Sequence, residues 1–170
     1  MKVFLIGYMG CGKSRWGKII ANHYGFHFID LDELIEEREQ LSVPEIFEKF
    51  GESGFRQREK EALKAIPKVE NVIVATGGGA PCFHNNMSYM NEEGASLFIE
   101  CSPELLRERI TSSNTERPLV KNLSPEELLQ YISNHLNERL PFYEQSKYKL
   151  TSGDLEISDF TAVLDPIINS

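Results

Sequence analysis

Eight consecutive residues, Gly7-Tyr8-Met9-Gly10-Cys11-Gly12-Lys13-Ser14, constrain what this chain can fold into more than any other feature. They match G-x-x-x-x-G-K-[ST], a loop that works only between a strand and a helix. Its glycines let the backbone turn tightly, with N–H groups pointing inward at phosphate oxygens. Lys13 brings a charge to the β- and γ-phosphates, and the Ser14 hydroxyl offers a ligand for Mg²⁺. The flanks agree with the motif. Val3 to Ile6 is an apolar β-branched run, and Lys13 to Tyr24 reads as a helix whose positive N-terminus faces the same anion. A loop of this kind predicts binding of ATP or GTP.

Strand and helix patterns alternate along the rest of the chain. Phe26 to Ile29, Val72 to Ala75, Ser96 to Ile99 and Tyr148 to Thr151 read as further strands. Most are continuous apolar runs rather than alternating ones, as a parallel sheet covered on both faces requires. Ser42-Val43-Pro44-Glu45 and Ser124-Pro125-Glu126-Glu127 are capping boxes, and Ser102-Pro103 is another helix start. The expected fold is a single α/β domain over residues 1–170, with three α/β/α layers, a five-stranded parallel sheet and right-handed crossovers. Ser112 to Leu123 is polar and aperiodic. At about a dozen residues it exceeds most connections in compact domains, and it is expected to be a mobile lid.

Charge and composition narrow the partners. The net charge of −8 argues against nucleic acid or an anionic membrane as the main partner, while leaving room for an anionic small ligand in a locally cationic cleft. The run Val3 to Gly7 is too short for a signal-peptide core or a bilayer span. Cys11, Cys82 and Cys101 are scattered and lack metal-ligand spacing, so they read as reduced thiols. The expectation is a cytoplasmic protein, a monomer, acting on small molecules.

Four local clusters bear on the acceptor of a phosphoryl group. Asp30-Leu31-Asp32 ends the second strand, at the sheet edge where ligands of open α/β sheets gather. Asp32 could equally be the cap of a helix starting at Glu33. Gly51-Glu52-Ser53-Gly54-Phe55-Arg56-Gln57-Arg58-Glu59 places two glycines and a Phe-Arg pair at a helix start, where Arg56 and Glu59 could also be a surface charge pair. Thr76-Gly77-Gly78-Gly79 ends the central strand with bare amides that a ligand can approach closely. Arg117-Pro118-Leu119 lies in the polar loop, and Glu138-Arg139-Leu140-Pro141-Phe142-Tyr143 follows later.

In this order and over essentially the whole chain, these motifs resemble the shikimate kinase family. The phosphate loop is shared by many families; the aspartate pair, Phe-Arg and triple glycine together are specific. The resemblance implies transfer of the γ-phosphoryl of ATP to the 3-hydroxyl of shikimate, in the route to chorismate and aromatic amino acids. It implies ATP at Gly10, Cys11, Gly12, Lys13, Ser14, Arg15 and Arg117, and one Mg²⁺ near Ser14 and Asp30. Asp32 would take the acceptor hydroxyl within an acceptor region over residues 32–60. Arg56 and Arg139 would pair with the carboxylate, and Gly77, Gly78 and Gly79 would supply backbone contacts. Lys13, Asp32 and Arg117 would be the catalytic set, with Glu59 orienting Arg56.

Three departures stand out. Arg15-Trp16 and Pro81-Cys82-Phe83 are unusual for the family but are expected to leave the chemistry untouched. Around Ser152-Gly153-Asp154 no motif marks the adenine side, where Arg109 is a stacking candidate. Two rival readings stay open. A gluconate-type sugar-acid kinase shares the fold and loop, and a nucleotide-binding module without turnover shares the loop alone.

Overall fold

The structure is a computed structural model that describes residues 1–67, 71–113 and 120–169. Arg117 and half of the expected 112–123 lid, residues 114–119, lie outside the described residues. Five strands, β1 (Lys2–Ile6), β2 (His27–Asp30), β3 (Val72–Ala75), β4 (Ala95–Glu100) and β5 (Tyr148–Thr151), form one parallel sheet in the order β2-β3-β1-β4-β5. The three inner strands are buried along almost their whole length, whereas the edge strand β5 alternates between half-buried and exposed residues. Continuous apolar sequence inside and alternation at the edge follow directly from covering both faces.

Helices α1 (Lys13–Tyr24), α2 (Leu31–Glu39), α3 (Val43–Ala65), α4 (Asn86–Glu93), α5 (Pro103–Ser112), α6 (Pro125–Tyr143) and α7 (Ile157–Ile168) connect and cover the sheet. Both expected capping boxes are formed, at Ser42 with Glu45 and at Ser124 with Glu127, and Ser102 caps α5 through the Leu105 N–H. Trp16 packs on Phe160 of α7 with ring centroids 4.6 Å apart, a packing role.

Two local expectations change. Strand β2 begins at His27 rather than Phe26, because the Phe26 N–H is still bound to the Ala21 carbonyl at 2.8 Å, closing the end of α1. Asp32 is not a helix cap. Helix α2 starts at Leu31, and Asp30 is its cap, accepting from the Asp32 N–H at 3.1 Å. The carboxylate of Asp32 is thereby released from a capping role.

Candidate active site

Strand β1 delivers the chain into the phosphate loop at the carboxyl edge of the sheet, and Gly12 stands at the N-terminus of α1 with φ 99°. Gly10 also has positive φ, 84°, a conformation that L side chains rarely adopt. Lys13 is buried, and its ammonium donates to the Gly7 carbonyl at 2.6 Å and the Tyr8 carbonyl at 3.0 Å. Its third neighbour is the Cys11 sulfur at 3.6 Å. A hydrogen bond with Cys101, aided by the charge of Lys13, outweighs burial and pulls the Cys11 thiol down to about 6. The same hydrogen bond and burial push Cys101 up. All three cysteines are free thiols.

Asp30 reaches the loop from β2. Its carboxylate accepts from the Ser14 hydroxyl at 2.5 Å while capping α2 with its other oxygen. The Ser14 and Asp30 oxygens are hard donors of the type Mg²⁺ prefers, and these are the residues that would hold such an ion. No group of three or more His, Cys, Asp or Glu that could hold a metal occurs among the described residues. Arg109 of α5 reaches the loop from the other side. It donates to the Cys11 carbonyl at 3.2 Å and to the Ser152 hydroxyl at 3.2 Å. It thus ties the segment after β5, which carries no motif, to the phosphate loop.

A cavity of about 840 Å³ runs from this loop to Asp32, Thr76, Gly77 and Gly78, with Arg15 and Arg109 also on its wall. At its inner end the triple glycine is the hub. A methyl group on Gly77 would lie 3.1 Å from both Asp32 Oδ1 and Glu59 Oε2; on Gly78, 2.9 Å from Arg139 Nη1; on Gly79, 2.7 Å from Arg56 Cζ. Side chains from α2, α3 and α6 thus lie flat on bare backbone, which any larger residue would prevent. Arg56, Glu59, Gly79 and Arg139 are outside the cavity lining; Glu59 lies against Gly77 and Arg139 against Gly78, which do line it, and Arg56 lies against the adjoining Gly79.

The charges there are held under tension. Burial first, then the neighbouring Asp30, raises Asp32 to about 6 against the opposing charge of Lys13. Arg56 Nη1 donates to Glu59 Oε1 at 2.9 Å, and both are buried. Burial nonetheless lifts Glu59 to about 7, with Arg56 pulling the other way. Among the described residues, Arg56 Nε and Glu59 Oε2 are buried without a hydrogen-bond partner. An orphaned buried polar atom costs about 1–3 kcal/mol, and at a cleft it points to a ligand that completes it.

Some contributors were not visible in sequence. The Arg56 guanidinium stacks on Phe83 at 4.3 Å and lies over Phe55 at 5.2 Å. The Pro81-Cys82-Phe83 departure therefore does touch the site. Ala80–Cys82 forms a 3₁₀ turn that carries Phe83 onto the arginine. Along α6, His135, Arg139 and Tyr143 recur every four residues and so share a face. Tyr143 is fully buried, and its hydroxyl donates to the Gly78 carbonyl at 2.5 Å, fixing the glycine loop. The four-residue spacing of Arg139 and Tyr143 was the signal available for that contact.

A family model described as shikimate kinase matches residues 9–167. The chain belongs to the shikimate kinase family. It is 43% identical over 155 residues to a shikimate kinase of Phocaeicola vulgatus, covering 91% of this chain and 89% of that protein. The crystal structure of shikimate kinase from Bacteroides thetaiotaomicron superposes with a TM-score of 0.91 at 37% identity, covering 100% of this chain and 99% of the other. Shikimate kinase from Acinetobacter baumannii in complex with shikimate gives 0.83 at 32% identity, over 99% and 93% of the two chains. Family membership accounts for the whole α/β core, and the expected fold and family both stand. No helix among the described residues is long and apolar enough to cross a membrane.

Proposed function

We propose that this family member transfers the γ-phosphoryl of ATP to the 3-hydroxyl of shikimate, with Asp32 at the acceptor hydroxyl and Arg56 and Arg139 at the carboxylate. The observation that carries this assignment is the convergence of Asp32, Glu59, Arg56 and Arg139 on Gly77–Gly79, at the far end of a cavity that begins at the phosphate loop. Shikimate has a carboxylate at one end of a rigid ring and hydroxyls at the other. Two guanidinium groups, a carboxylate and a floor without side chains complement it.

In this reading the acceptor oxygen attacks the γ-phosphorus while the bond to the β–γ bridging oxygen breaks, and ADP leaves. Such a transition state is loose, so positioning and charge dominate. Lys13 meets the β- and γ-phosphates. Asp32, raised to about 6, lies near the working pH of a general base and receives the hydroxyl proton. Arg56, held by Glu59 at 2.9 Å, presents a planar fork to the carboxylate, a geometry lysine does not offer. Ser14 and Asp30 would hold Mg²⁺, which when bound supplies charge neutralisation at the phosphates. Gly10, Gly12, Cys11 and Arg15 would line the nucleotide's phosphates, with Arg109 toward the base. Arg117 would enter with residues 112–123 closing as a lid. The protein would act in the cytoplasm as a monomer, without nucleic acid or membrane.

The test is ADP release measured with shikimate, gluconate, quinate and no acceptor. Turnover only with shikimate is expected. A preference for gluconate would reassign the acceptor, and no acceptor-dependent turnover would make the chain a binding module.

A further inference from the structure

Tyr8 occupies a variable position of the phosphate loop, yet its side chain leaves the nucleotide end altogether. Its backbone carbonyl accepts the Lys13 ammonium at 3.0 Å and the Cys11 N–H at 3.2 Å, so the residue moves with the loop. Its ring is buried, with the Arg139 guanidinium over it at 5.5 Å. Its hydroxyl pairs with His135 Nδ1 at 3.0 Å, and the two rings meet edge to face at 5.6 Å and 88°. Tyr131 packs against His135 from the preceding turn of α6 at 5.4 Å. The rigid helix face that carries Arg139 is thus clasped one turn earlier by the same tyrosine that lies under the guanidinium.

Gly78 closes the arrangement. A methyl group there would touch Arg139 Nη1 at 2.9 Å, Met9 N at 3.5 Å and the Gly7 carbonyl at 3.6 Å. The glycine loop is therefore sandwiched between the phosphate loop and Arg139. Burial and then the charge of Arg139 lower the pKa of His135, which favours the neutral imidazole that pairs with the Tyr8 hydroxyl.

We infer that Tyr8 is a positioning residue that couples the two substrate sites, transmitting the seating of the nucleotide phosphates to the orientation of Arg139 and so to the grip on the acceptor carboxylate. The inference rests on the proposed role of Arg139. Coupling of this kind is reciprocal: whatever factor the nucleotide contributes to acceptor affinity, the acceptor returns to nucleotide affinity.

The experiment is calorimetric titration of shikimate into the protein with and without a saturating non-hydrolysable ATP analogue. In the unaltered chain the analogue is expected to tighten shikimate by roughly tenfold, within the usual range of coupling energies. In Tyr8→Leu that ratio is expected to collapse below about twofold, and in Tyr8→Phe, which keeps the ring and loses the His135 bond, to fall between the two. A merely structural tyrosine would weaken both affinities and leave their ratio alone. If Tyr8→Leu does not fold, His135→Ala, at the half-buried end of the pair, carries the same test. An unchanged ratio in a folded variant, or no coupling in the unaltered chain, overturns the inference. Arg139→Ala separates its failure from that of the acceptor assignment. Weakened shikimate binding in Arg139→Ala with coupling intact in Tyr8→Leu rejects only the tie, whereas unchanged binding in Arg139→Ala removes the assignment itself.

Discussion

The phosphate loop and the acceptor end meet at Gly78 but are built on opposite plans. The loop is eight residues in a row, and its one cation satisfies itself on the loop's own carbonyls at 2.6 and 3.0 Å. The acceptor end is assembled from α2, α3, the glycine loop and α6. It leaves a guanidinium nitrogen of Arg56 and a carboxylate oxygen of Glu59 buried without partners among the described residues. A contiguous motif can preorganise its charge within the backbone that carries it. A site gathered from distant segments holds its charges by packing, through Phe83, Phe55 and Glu59, and keeps bonding capacity for the molecule that completes it. The first plan suits a ligand part common to many enzymes; in the proposed reading the second serves one acceptor.

Breaking the loop has the largest expected effect. Lys13→Ala removes the fixed charge at the β- and γ-phosphates, and turnover should fall by roughly 10³-fold or more with the fold retained. Steady-state kinetics together with circular dichroism check this.

Asp32→Asn comes next and separates charge from shape. It should lower kcat by roughly 10²–10⁴-fold, the range for a positioned acid–base group. It also has a stability signature. A carboxyl raised to about 6 binds its proton more tightly folded than unfolded, so it favours folding at low pH and loses that contribution as pH rises through about 6. The asparagine variant should therefore be the more stable protein at about pH 7.5, by on the order of 1–3 kcal/mol, with the gap closing below about pH 4. Thermal melts across pH measure it.

Arg117→Ala sharpens the comparison from the side of the proposed lid. A cation that matters in the transition state should cost roughly 10²-fold in kcat while changing the shikimate KM by less than about threefold. Gly79→Ala is the smallest expected effect. Its new methyl would meet the Arg56 guanidinium, with Cζ 2.7 Å away, and should raise the shikimate KM by about tenfold, equivalent to about 1.4 kcal/mol, with the ATP KM unchanged.

The same contrast explains what the sequence could reveal. Strands β1 and β3 and the capping boxes were legible because their signals are local: apolar runs and a side chain bonding three residues away. The start of β2 was misplaced by one residue because Phe26 is apolar enough for a strand, while its N–H is committed to Ala21. Choosing between Asp30 and Asp32 as the cap was beyond pattern reading, since either carboxylate suits a helix start. The proposed acceptor residues Asp32, Arg56 and Arg139 were reachable only through the family's combination of motifs. Phe83 on Arg56 and Tyr8 on His135 left no trace, the latter pair being 127 positions apart in the chain. Contacts of that range follow from how helices pack, which local spacing does not encode.

The central claim is that Arg56 holds the acceptor carboxylate by a bidentate fork rather than by charge alone. The most direct measurement is the KM for shikimate and for ATP in Arg56→Lys, which keeps the charge and loses the fork. A loss of about 2 kcal/mol or more is expected, raising the shikimate KM by roughly 30-fold or more. The ATP KM should stay within about twofold, because Arg56 lies beyond the glycine loop from the phosphates. A shikimate KM that does not move, or an ATP KM that rises with it, would contradict the account.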